Sequence, residues 1–127
     1  MHYIVESEKT VDQAAEDLEA AVMRNKFGVL HVHDLRGTMA KKGVEFPHEC
    51  RIFEVCNPQQ AKKVLDEDMK LNMALPCRIS VWEEAGTTRI GMLLPSRLLE
   101  GLPDSPALRQ VAEEVESVTK RIIDESR

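Results

Sequence analysis

Cys56 closes the stretch FEVC immediately before Asn57 and Pro58, and Cys77 follows twenty-one residues later in LPCRI. A cysteine just ahead of a helix start lies at the positive end of the helix dipole, which favours its thiolate. On that ground Cys56 is a candidate nucleophilic or redox-sensing thiol, with Cys77 as its candidate partner. The plainer reading makes both of them small interior side chains, because free cysteine is among the most buried residue types. Alpha carbons more than about 7 Å apart admit no disulfide without backbone movement, and spacing alone leaves that separation open.

His31 and His33 form a second constellation. Residues at i and i+2 on a strand share one face, and paired imidazoles suit a metal ion. His48 and Cys50, beyond the following loop, would complete a set suited to zinc, copper or iron, backed by Glu49 or Asp34. The alternative places His31 and His33 on an outer sheet face, wet or at a dimer contact, with Leu30 and Val32 turned towards the helices. Met23, Met39, Met69, Met73 and Met92 offer soft sulfur for a haem or copper pocket, but methionine equally fills irregular core gaps. No nucleophile elbow, phosphate loop or dinucleotide fingerprint occurs, and no Ser-His-Asp order can be defended. With no complete catalytic set the balance falls against an enzyme, and the residues name no cofactor.

These side chains have to be positioned by a chain of 127 residues, the length of one domain, here 1–127. The net charge is −5, without a dense Lys/Arg cluster, and aromatic residues make up only 4%, so nucleic acid is not an expected partner. No run of eighteen apolar residues is present, so no membrane span is expected. The start, MHYIVESEKT, lacks the basic and apolar regions of a signal peptide, which points to the cytoplasm. Three cysteines, Cys50, Cys56 and Cys77, make no secreted disulfide framework, and there is no C-x-x-C.

The periodicities predict strands over 2–8, 29–35, 50–56, 77–84 and 88–95. Thr10 caps a helix with an apolar stripe of Val11, Ala14, Ala15, Leu18 and Val22, ended by Gly28. Residues 36–49 read as a loop with room for one helical turn at 38–42 between two glycines. Asn57 caps a second helix with Pro58 at its first position, and Ala61, Val64 and Leu65 face inward. A linker at 100–106 precedes a long helix carrying Leu108, Val111, Val115 and Ile122 on one stripe. The order is β-α-β-β-α-β-β-α, and the tight turn at 84–87 makes the last two strands an antiparallel hairpin. An α+β fold follows: a mainly antiparallel five-stranded sheet with helices packed on one face.

The sequences VCNPQQAKKVL and LPCRISVWEEAGTTRIGMLLP resemble the domain of unknown function 302 family, in which Cys-Asn-Pro opens a helix and Pro-Cys opens a hairpin. The resemblance runs over about residues 35 to 97 and singles out Cys56, Asn57, Pro58, Pro76 and Cys77 as motif positions. It implies a TATA-box-binding-protein-like α+β architecture with β-α-β4-α order, commonly a homodimer. That label describes shape and carries no implication of DNA binding or of a reaction.

Alternation turns Val29, His31, His33, Arg78, Trp82 and Arg89 away from the helices, and Trp82 is a large group to leave in water. Isologous pairing of two copies over this face is the simplest cover. The leading reading is therefore a small cytosolic dimeric binding or accessory module, its small-molecule or protein partner unnamed. The alternatives are a thiol-dependent redox or sulfur-handling protein using Cys56, and a metal or haem binder using His31 and His33.

Overall fold

The computed structural model describes residues 1–99 and 105–127. The strands are β1 His2–Ser7, β2 Gly28–Asp34, β3 Cys50–Cys56, β4 Cys77–Glu84 and β5 Thr87–Leu93. The helices are α1 Val11–Arg24, α2 Leu35–Lys41, α3 Pro58–Glu67, α4 Pro95–Leu98 and α5 Pro106–Ser126, with a 3-10 helix at Met69–Ala74. Strand order is β1-β5-β4-β3-β2, and every neighbouring pair is antiparallel. The sheet is thus antiparallel throughout, where the sequence pattern predicts a mainly antiparallel one.

Among the described residues every α-helix except the short α4 begins where a side chain takes over an orphan backbone donor. Thr10 Oγ1 accepts from the Gln13 N–H at 3.1 Å. Asn57 Oδ1 accepts from the Gln59 and Gln60 N–H groups at 3.0 and 3.1 Å, with Pro58 opening α3 as expected. The end of α1 differs from expectation. The left-handed residue is Lys26 (φ 64°) rather than a glycine, and Gly28 already belongs to β2. Lys26 and Phe27 donate backbone bonds to Met23 and Val22, both 3.0 Å, and these two bonds hold the lysine in place.

Two further corrections concern β2 and the loop after it. The pairing register with β3 shifts between Val29 and His31, a bulge that rotates the strand's first half. Val29 and Val32 therefore pack on the core and Leu30 is 62% exposed, the reverse of simple alternation for Val29 and Leu30. The loop carries a real helix, α2, because Asp34 Oδ1 accepts from the Gly37 N–H and starts it at Leu35. The short α4 is likewise additional to the sequence-based order. Residues 100–104 of the expected linker lie outside the described residues.

α1 and α5 pack against one another over the sheet face that carries Phe53, Val55, Ile79, Val81 and Ile90. Leu18, Val22, Ile122 and Ile123 complete this core with no exposed surface. α1 and α5 leave the opposite sheet face uncovered. There Gly91 leaves room for its neighbours: a Cβ on it would stand 2.8 Å from Ile4 Cγ1, 3.0 Å from Tyr3 O and 3.3 Å from the Trp82 ring.

Candidate functional site

β3 and β4 are antiparallel neighbours, so the end of one and the start of the next lie at the same end of the sheet. α3 and the 3-10 helix carry the chain away from Cys56 and return it to Cys77, which is in register with Val55. The peptide bond between Leu75 and Pro76 is cis. Cys56, Asn57, Pro76 and Cys77 consequently line one cleft of about 700 Å³. Pro58, the remaining motif residue, sits at the first position of α3. Phe27, Val64, Leu71, Met92, Val111 and Val115 supply much of the apolar wall, drawn from strands, α3 and α5.

The polar groups of the cleft are few, and most are already engaged. Thr119 donates its hydroxyl to Val115 O at 2.8 Å, and Asn57 Nδ2 donates to Lys26 O at 3.2 Å. Gln60 Nε2 donates to Glu114 Oε2 at 3.2 Å, whereas its Oε1 is enclosed and receives no donor. Lys70 and Arg78 also line the cleft. Arg78 lies 3.9 Å from Glu54, and the Lys70 ammonium has no hydrogen-bond or ion-pair partner among the described residues.

Burial acts on the thiols in the opposite sense to the helix dipole. Loss of water pushes the Cys77 thiol up to about 11, and the neighbouring Cys56 adds to the shift. Burial also raises Cys56, and burial followed by the nearby Asp34 raises Cys50. Apolar surroundings disfavour the charged form. Burial thus opposes the thiolate that a helix start would favour at Cys56, and all three cysteines are free thiols. In this cleft Cys56 and Cys77 are wall.

The histidines are brought together without a metal set. The His31 and His33 rings meet edge to face at 4.4 Å, and His33 Nε2 is 2.7 Å from Glu54 Oε1. That bond, opposed by partial burial, holds the Glu54 carboxyl below its ordinary value. His48 stacks edge-on with Phe46, and Cys50 stands opposite Trp82. Among the described residues no group of three or more His, Cys, Asp or Glu side chains is arranged to hold a metal ion.

A depression of about 860 Å³ near Glu6, Lys9, Thr88 and Arg127 is mostly polar. Its cations are engaged, Lys9 with Asp17 at 2.6 Å and Arg127 with Glu6 O at 2.9 Å. The apolar cleft is the stronger candidate, since ligand sites pair apolar walls with a few placed polar groups. Sequence reading identified its motif side chains but not Gln60, Lys70 or Leu71. The only signal for Gln60 was helical spacing, one turn before Val64 on α3.

The family model described as "Domain of unknown function DUF302" matches residues 3–126. A solved crystal structure of an uncharacterized conserved DUF302 protein from Bacillus stearothermophilus is 36% identical, with a TM-score of 0.92. The alignment covers 99% of this chain and 98% of that one. No curated protein matches. The match is wider than the motif region that carries the resemblance, and it takes in β1, α1 and α5.

Proposed function

The chain belongs to the DUF302 family, for which no biochemical role is assigned, and from that premise we propose that it is a binding module that holds an apolar ligand in the cleft. One observation carries this reading: four of the five motif positions converge on a single apolar cleft of about 700 Å³. That volume lies within the range of about 300–1,000 Å³ typical of small-molecule sites. The raised thiol pKa values support binding over nucleophilic chemistry.

The module acts as a homodimer through the sheet face that α1 and α5 leave uncovered, where Ile4, Leu93 and Trp82 are grouped around Gly91. It works in the cytoplasm, a placement supported by its unpaired cysteines; no helix among the described residues is long and apolar enough to cross a membrane. An acidic net charge makes nucleic acid a poor partner.

The test is a native mass spectrum of protein purified from its own host without chelator or thiol reagent. The expected result is a mass above that of the chain, lost from an Ala61→Trp variant that fills the cleft and keeps the wild-type circular dichroism. Ligand mass retained by that folded variant would overturn the cleft as the binding site.

A further inference from the structure

Acidic side chains outnumber basic ones in this chain, twenty-two to seventeen. The cleft departs from that balance. Among the described residues that line it, Lys70 and Arg78 are the charged ones and both are cations; no carboxylate lines it. Lys70 is exposed, stands beside the buried Leu71 at the turn between α3 and β4, and has no anionic partner among the described residues. Arg78 is held only loosely, 3.9 Å from a Glu54 that His33 already engages at 2.7 Å.

We propose that the occupant of the cleft is a free amphipathic anion, its apolar body against the α3 and α5 wall and its anionic head at the rim beside Lys70. The inference rests on the cleft being a binding site and adds the chemistry of what enters it. An apolar wall removes hydrocarbon from water, and an unpaired ammonium at the edge rewards a negative group that stays near solvent. The enclosed Gln60 Oε1 repels an anion, which directs the head to the rim and not to the interior. Arg78 serves as the second cation within reach of the same cleft.

Titration calorimetry on the full chain, with dodecanoate, dodecanol and dodecylammonium below their aggregation concentrations, tests this. Dodecanoate is expected to bind about tenfold more tightly than dodecanol, with dodecylammonium weakest. Lys70→Glu, a substitution at an exposed position, should abolish the preference for dodecanoate over dodecanol. Equal affinity for dodecanoate and dodecanol, both lost in Ala61→Trp, would overturn the anionic head and leave the apolar cleft standing. Binding of neither compound, or binding that Ala61→Trp does not weaken, would overturn the cleft itself. Flotation with anionic phospholipid vesicles but no response to dodecanoate would overturn a free amphiphile in favour of a membrane surface.

Discussion

Cys77 lies among side chains that pack on the core, and its thiol is pushed up to about 11 by that burial. A helix start nearby does not offset the loss of water around it, so position in the chain was a poor guide to reactivity. Because only the thiolate attacks, alkylation must follow the deprotonated fraction. With iodoacetamide at pH 7–8, Cys56 should react more slowly than free cysteine, and Cys77 should be the slower of the two. The Cys77 rate should rise steadily with pH and level off only above about 11. Peptide mass spectrometry of timed samples reads this directly, and rapid labelling of Cys77 at pH 7 would contradict its burial. Lys70 makes the complementary point at the rim, where an exposed ammonium without a partner among the described residues is open to a ligand.

At the scale of elements, the detour through α3 and the 3-10 helix is what makes the site. A direct turn from β3 to β4 would bring Cys56 and Cys77 together just as well, but without the wall that holds Val64 and Leu71. β5 has a separate constraint at Gly91, where Ile4 and Trp82 occupy the space above the backbone. Gly91→Ala should destabilise the protein by about 1–3 kcal/mol, since a Cβ would meet Ile4 Cγ1 at 2.8 Å. Urea unfolding measures it, and an unchanged midpoint would show that Ile4 moves aside without cost.

For the whole molecule, the sheet is asymmetric: helices seal one face, and the other presents Trp82 with Ile4 at 40% and Leu93 at 52% exposure. Burial of a tryptophan and its aliphatic neighbours between two copies would remove that surface from water. Sedimentation of the wild type should give twice the chain mass, and Trp82→Glu should give a monomer with its fold retained. A wild-type monomer, or a dimer indifferent to Trp82→Glu, would place any self-association elsewhere.

Local pattern determined much of this protein without help from tertiary structure. Alternation placed β3 and β4 at their observed limits, Cys50–Cys56 and Cys77–Glu84, and the Asn57-Pro58 pair marked the start of α3, because these features depend on neighbours within a few residues. The motif positions of the cleft were legible through the family resemblance. What tertiary structure decided depends on residues far apart in sequence. The bulge that exchanges Val29 and Leu30 is set by pairing with β3, and the antiparallel return of β4 brings Pro76 and Cys77 beside Cys56 and Asn57. Burial acts on the thiols against the helix dipole, because desolvation comes from the packed surroundings and not from the adjacent residues. That Lys70 and Arg78 are the charged side chains among the described residues of the cleft wall is likewise a fact of assembly, since periodicity specifies which face a residue takes and not which charges that face will meet.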